Sequence, residues 1–229
     1  MPNQLLSKVD AVIFDFDGVV VDSEQISLGE LQKSFSDHGI TVTWKDLVQN
    51  FLGTTRRDVT RFMLEQTGRD PFPHYPHPWE ERVHERLSEQ LALVEGAEAL
   101  LDRLDEAKIP YCLASGSSPE RLRLSLDTVG QTARFEGRMF STETVPNGKP
   151  APDIFLHAAK ALGVDPARAM VIEDGIAGTI GAKAAGVRYI VGFVGGSHLS
   201  DADLRERHGK ALSAAGSTTI IDRLLALLD

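Results

Sequence analysis

Asp15 and Asp17 are the residues of this chain best suited to chemistry. They flank Phe16 and precede Gly18, at the end of the apolar run 9–14. Such a run, rich in β-branched residues, reads as a buried parallel strand. Residues two apart on extended backbone point the same way, so both carboxylates can reach one centre. Gly18 lets the chain turn at that point. Two close carboxylates repel unless a cation or a shared proton lies between them. The pair therefore predicts a metal site and acid–base chemistry. Asp-x-Asp-Gly is also an ordinary turn sequence, and the choice between the two readings rests on the remaining residues.

Further polar residues follow other apolar runs. Ser115 and Gly116 follow residues 109–114, and Glu173 and Asp174 follow residues 169–172. Lys149 lies in the loop before Asp153. Each has a bland reading: Ser115 as a turn or cap serine, Lys149 as a solvated surface lysine, Glu173-Asp174 as a helix-start pair. Gly148-Lys149 is not an NTPase phosphate loop, because the leading glycine and following Ser/Thr of that motif are absent. Together the types fit phosphoryl transfer. A carboxylate can be the nucleophile. Asp15 and Asp174 could hold Mg²⁺ with substrate phosphate and water. A serine with backbone N–H groups can hold phosphate oxygens, and a lysine can neutralise the transferring group. A second acid can protonate the leaving oxygen and then activate water.

The elements that must position these groups are strands at 9–14, 109–114, 169–172 and 187–193, with weaker ones at Met139–Ser141 and 218–221. Helical patterns lie between most of them, among them 97–108 and Asp153–Leu162, the latter stopped by Gly163. Alternating strands and helices predict an α/β fold, a doubly wound parallel sheet whose strand ends open on one edge. Residues 22–93 break the alternation. Four amphipathic helices are expected there, at 25–38, 45–51, Arg56–Thr67 and 79–93, with a Pro-rich linker at 70–78. This predicts an α/β core of residues 1–21 and 94–229 with a helical cap inserted at 22–93. His74 and His77 sit in the linker and are expected at the surface. The stretch from Gly175 to Gly186 is dense in small residues, which predicts close packing against sheet or ligand.

Composition excludes several roles. The 229 residues are 42% hydrophobic and 25% charged, with a formal net charge of −9 and no basic cluster, which argues against nucleic acid or an anionic membrane surface as partner. No apolar run reaches the roughly 18–20 residues of a membrane span. One cysteine, Cys112, excludes an internal disulfide framework and sits in an apolar run as a structural thiol. The start lacks a signal-peptide pattern, so a cytoplasmic protein is expected, a monomer or a weak homodimer.

The motifs together resemble the haloacid dehalogenase superfamily, in its β-phosphoglucomutase-like phosphatase branch with a helical cap. The matching stretches are Asp15-Phe16-Asp17-Gly18-Val19-Val20, Ala114-Ser115-Gly116-Ser117, Gly148-Lys149-Pro150-Ala151-Pro152-Asp153 and Ile172-Glu173-Asp174-Gly175. The resemblance spans nearly the whole chain. It implies Asp15 as nucleophile and metal ligand, and Asp17 as general acid/base whose backbone carbonyl also meets the metal. It implies Ser115, with Gly116, and Lys149 at the phosphoryl group. Asp174 would be a metal ligand, with Glu173 binding directly or from behind it. The loop Gly53-Thr54-Thr55-Arg56-Arg57 resembles the cap's specificity loop, with Arg56 a candidate grip on the substrate, and Ser23 a further candidate beside it. Gly175 replaces a frequent Ser. Ser27 stands where mutases carry a cap-side His and cannot shuttle a proton as His does. Lys33 reads as a surface residue rather than a Schiff-base lysine. The implied activity is Mg²⁺-dependent hydrolysis of a small phosphomonoester, a sugar or sugar-acid phosphate, through an aspartyl-phosphate. The alternatives are a hexose phosphate mutase and a non-catalytic phospho-ligand module.

Overall fold

The computed structural model describes residues 3–54, 56–68 and 77–228. In chain order its elements are α1 (Asn3–Leu6), β1 (Ala11–Phe14), α2 (Glu24–Asp37), α3 (Trp44–Phe51), α4 (Arg56–Thr67) and α5 (Pro78–Gln90). There follow α6 (Ala97–Ala107), β2 (Tyr111–Ser115), α7 (Pro119–Thr128), α8 (Thr132–Phe135), β3 (Met139–Ser141) and α9 (Asp153–Leu162). The chain closes with β4 (Ala169–Glu173), α10 (Ile176–Ala184), β5 (Tyr189–Phe193), α11 (Ala202–Ala215) and β6 (Thr219–Ile221). The strands form one sheet in the order β3-β2-β1-β4-β5-β6, and every pairing is parallel.

Alternate strand residues enter opposite faces. Val12, Phe14, Leu113, Met170 and Ile172 pack with Leu100, Leu104 and Leu126 on one side. Ile13, Cys112, Ala114 and Val171 pack with Ile154, Phe155, Ala158 and Ala182 on the other. A sheet covered on both faces needs apolar residues at every position, which is why these strands read as unbroken apolar runs. Cys112 is fully buried among them, and burial pushes its thiol up to about 12, so it is inert packing.

The expected strands at 109–114 and 187–193 begin two residues early. Ile109 and Val187 instead close the preceding helices. Lys108 and Gly186 adopt left-handed backbone, and the next N–H bonds back to Leu104 at 2.9 Å and to Ala182 at 3.1 Å. An apolar residue just past a left-handed cap packs on its own helix, and hydrophobicity alone does not separate it from a strand start. Helix α5 likewise stops at Gln90, short of the expected 93, and Leu93 makes an antiparallel bridge to Val21.

Between β1 and β2 the chain runs through α2, α3, α4 and α5. Their apolar faces, with Leu28, Phe35, Leu47, Phe51 and Met63, form a third cluster that also contains Val194, Leu199, Leu204 and Leu212. Trp44 donates its indole N–H to the His198 carbonyl at 3.0 Å. The strand order reverses between β1 and β4, and the crevice outside the carboxyl ends there is where open α/β sheets bind ligands.

Candidate active site

The sheet register builds the floor of the site. Phe14 lies opposite Ile172, and Asp15 N–H bonds the Ile172 carbonyl at 2.8 Å. Asp15 and Glu173 therefore leave adjacent strands side by side. Gly18, with φ +77°, lets the loop pass over the Asp174 carboxylate; a Cβ there would overlap Asp174 Oδ2. Gly178 on α10 makes the same room for Glu173. Lys149 comes from the loop before α9, which Asn147 pins by donating to Asp153 Oδ1 at 3.2 and 3.0 Å. Its ammonium lies 5.3 Å from the Phe155 ring centre. It donates to Asp15 Oδ1 at 2.6 Å and to Glu173 Oε2 at 2.8 Å.

Asp15, Glu173 and Asp174 are buried and offer oxygens within 4.8 Å of one another. They are the only such group among the described residues. Burial, then the charge of Glu173, push Asp15 up to about 8 against the pull of Lys149. Burial, then Asp15 and Glu173, push Asp174 well above the usual carboxylate range. Asp174 Oδ2 is buried without a hydrogen-bond partner. An all-oxygen, charge-crowded set with an orphaned carboxylate oxygen fits a hard divalent cation such as Mg²⁺.

Asp17 turns away from that group. Its Oδ1 accepts from Ser23 at 2.6 Å and from Arg121 Nη2 at 2.9 Å, and its Oδ2 from Ser117 at 2.6 Å. Burial works to raise Asp17, but the Arg121 charge and these hydrogen bonds hold its carboxyl below the usual range.

One cavity of about 450 Å³ gathers Asp15, Asp17, Gly116, Lys149, Glu173, Asp174 and Arg56. Its roof comes from the inserted helices and their loops, including Leu52, Gly53, Thr54 and Trp79. Ser115 and Ser23 are fully buried and do not line it. The Ser115 hydroxyl takes the Ser117 N–H at 2.9 Å and gives its own proton to Asp17 Oδ2 at 3.5 Å, and the Ser23 hydroxyl donates to Asp17 Oδ1 at 2.6 Å. Arg56 is half exposed and gives its Nε–H to Glu80 at 2.7 Å. Thr55 and most of the linker, with His74, lie outside the described residues. His77 departs from its surface expectation: it is buried at the start of α5, where its N–H donates to Glu80 at 3.0 Å. Lys33 is exposed, as expected.

Sequence reasoning missed Arg121, Ser117, Glu24, His198 and His208. Arg121, Ser117 and Glu24 line the cavity. Burial, then the Asp17 charge, push Glu24 up to about 7. His208 Nε2 meets the Asp174 carbonyl at 2.6 Å, and His198 Nε2 lies 3.7 Å from Asp174 Oδ2. Burial, then His208, bring the His198 imidazole down to about 3. The available signal was placement: each follows the carboxyl end of a strand or stands in the first turn of the next helix, except His208, which the sequence does not single out.

A family model for haloacid dehalogenase-like hydrolases matches residues 12–191. The chain is a haloacid dehalogenase-like hydrolase. This hydrolase is 31% identical over 219 residues to the phosphorylated carbohydrates phosphatase of Thermotoga maritima, covering 93% of this chain and 94% of that one. It is 28% identical over 174 residues to 6-phosphogluconate phosphatase of Escherichia coli, covering 76% of this chain and 77% of that one. The solved structure of a conserved haloacid dehalogenase-like protein of Agrobacterium tumefaciens matches with a TM-score of 0.82 at 32% identity, over 96% of each chain. The hydrolase thus stands among phosphatases, and the resemblance read from its motifs is membership. No helix among the described residues is long and apolar enough to cross a membrane.

Proposed function

We propose that this hydrolase is a Mg²⁺-dependent phosphatase of small phosphomonoesters, with sugar or sugar-acid phosphates as substrates and an aspartyl-phosphate intermediate. The observation that carries the reading is the convergence of Asp15, Glu173 and Asp174 around Lys149 on the floor of one cavity. Asp15 attacks phosphorus in line and the P–O bond to the alcohol breaks. Lys149 holds Asp15 in place and offsets charge on the transferring group. Asp15, Asp174 and Glu173 would hold Mg²⁺, which supplies charge neutralisation for the phosphoryl oxygens when bound. Asp17, protonated once it has left Arg121, gives that proton to the leaving oxygen and takes one back from the water that hydrolyses the acyl phosphate. To do so it has to turn from the partners that hold it here. The backbone around Gly116 borders the phosphoryl position, and Ser115 supports that loop from below.

A cavity of about 450 Å³ suits a small metabolite. Relatives that act on phosphorylated carbohydrates and on 6-phosphogluconate support the substrate class. The same reading takes residues 22–93 as the cap, with Arg56 at its specificity loop, on a core of 1–21 and 94–229. It describes a cytoplasmic monomer or weak homodimer with no nucleic acid or membrane partner.

The test is free-phosphate release from a panel of sugar, polyol and sugar-acid phosphates, with Mg²⁺ and with chelator. Metal-dependent release is expected, falling by at least about 1,000-fold in Asp15→Asn. Isomerised phosphosugars without free phosphate would replace the reading with a mutase. Full turnover by Asp15→Asn would refute the nucleophile.

A further inference from the structure

Three cationic side chains, Arg56, Arg121 and Lys149, line the cavity. Lys149 is committed to Asp15 and Glu173 on the floor. Arg56 is committed to Glu80 at the rim. Arg121 is different. It stands in the first turn of α7, where its backbone N–H is capped by Ser118 at 3.2 Å, and its side chain is only 20% exposed. Its ion pair is with Asp17 at 2.9 Å, and its other hydrogen bond is to the neutral Ser27 hydroxyl at 3.1 Å.

Asp17 cannot serve two masters. Both of its carboxylate oxygens are occupied by Ser23, Arg121 and Ser117. Oδ1 of Asp17, when it turns to the leaving alcohol, gives up its contact with Arg121. A buried guanidinium without a counter-charge is strongly unfavourable. Glu24 and Glu80 line the same cavity and act on Arg121 through their charge, but its hydrogen bonds go to Asp17 and Ser27, and Glu80 is held by Arg56. A second anion on the substrate would take the place that Asp17 leaves. Unsatisfied donors point the same way. Arg121 Nε and Trp79 Nε1 are both buried without an acceptor, and both residues line this cavity. Buried N–H groups without partners are uncommon in folded proteins, and a modest turn of either side chain toward the cavity would offer these two to ligand oxygens.

We propose that Arg121 is the specificity-determining residue of this hydrolase, binding a second anionic oxygen group, a carboxylate or a further phosphoryl group, on the alcohol that leaves. The inference rests on the phosphatase reading above, and in particular on Asp17 serving the leaving oxygen. Substrate binding then exchanges one ion pair for another: Arg121 passes from Asp17 to the substrate, and Asp17 is released toward the leaving oxygen. A planar guanidinium suits either anion, because its N–H groups can grip two oxygens at once.

The test is kcat/KM, by phosphate release with Mg²⁺, for three esters of one carbon skeleton: a neutral hexose 6-phosphate, the aldonic acid 6-phosphate with a C1 carboxylate, and the hexose 1,6-bisphosphate. The expected result is that one of the two doubly anionic esters is favoured over the neutral one by about tenfold or more, the range of a charge-assisted hydrogen bond. Which of them is favoured separates carboxylate from phosphoryl recognition. In Arg121→Gln that ratio is expected to fall to within about twofold, with Arg121→Lys keeping part of it. Equal turnover of all three esters by the wild type would overturn the proposal without any variant, and would leave Glu24 as the counter-charge. An unchanged ratio in a folded Arg121→Gln would overturn it too. Should Arg121→Gln fail to fold, the wild-type ratio and the Lys variant decide. Phosphate release from none of the three, nor from p-nitrophenyl phosphate, would instead fell the phosphatase reading on which the proposal stands.

Discussion

Asp15 and Asp174 are acids that the fold holds in the wrong place for a carboxylate on its own. Each is pushed upward by burial and by its acidic neighbours, Asp15 to about 8 from an ordinary value of 3.8. A folded chain without a divalent cation therefore keeps protons that the unfolded chain releases between roughly pH 4 and 8. The stability that these two groups contribute is lost as pH rises through that window. A bound cation reverses the preference, because it stabilises the ionised forms. Thermal melts at pH 5 and pH 8, with Mg²⁺ or with EDTA, should show a stabilisation by Mg²⁺ that is larger at pH 8. A gain that is equal or smaller at pH 8 would contradict the assignment of these carboxylates to the metal. These acids were legible in the sequence because each directly follows an apolar strand. Arg121 and Glu24 were not, since each sits in an amphipathic helix where a charged residue ordinarily faces water. Only the position of those helices, at the carboxyl edge of the sheet, distinguishes them.

Helix α10 shows how far composition can carry an expectation. Its small residues were expected to mark close approach, and the structure says what approaches. A Cβ on Gly178 would overlap the Glu173 carboxylate, and one on Gly181 would stand 2.9 Å from the Ala151 carbonyl. The glycines let α10 lie against the groups that hold Lys149. Gly178→Ala should therefore be destabilising by about 1–3 kcal/mol through overpacking, and it should lower phosphate release by displacing Glu173 from Lys149. The ordinary helix preference for alanine, about 1 kcal/mol, runs the other way. Gly29→Ala on α2 isolates that term, because nothing lies within 4 Å of a Cβ there. It should raise the unfolding midpoint in denaturant with activity retained. A stabilised Gly178→Ala would show that Glu173 moves freely. Strand starts were the less legible part. Ile109 and Val187 carry the hydrophobicity of a strand, but a left-handed residue before each turns it back onto its helix, and one of those residues is a lysine.

At the scale of the molecule, the parallel sheet and the inserted run of helices followed from alternation and its interruption, while the strand order came only from the structure. The way the insertion is stabilised did not. Its interior is completed by Val194, Leu199, Leu204 and Leu212, which come from more than a hundred residues further along the chain. Both tryptophans, Trp44 and Trp79, belong to the inserted helices. Their fluorescence therefore reports the insertion, while far-UV circular dichroism reports the whole chain. Leu212 is fully buried on α11, and Leu212→Ala should cost about 2–5 kcal/mol. It should shift the fluorescence and dichroism transitions together, and a fluorescence midpoint that stays put while the other falls would show the insertion to be an independent unit. The shared interior also bears on recombination. A chimera that trades residues 22–93 for the equivalent stretch of another hydrolase separates the two halves of that cluster, leaving Leu199 and Leu212 facing a stranger. New substrate ranges are then reached by exchanging the 194–212 surface along with the helices, or by altering single side chains within the roof.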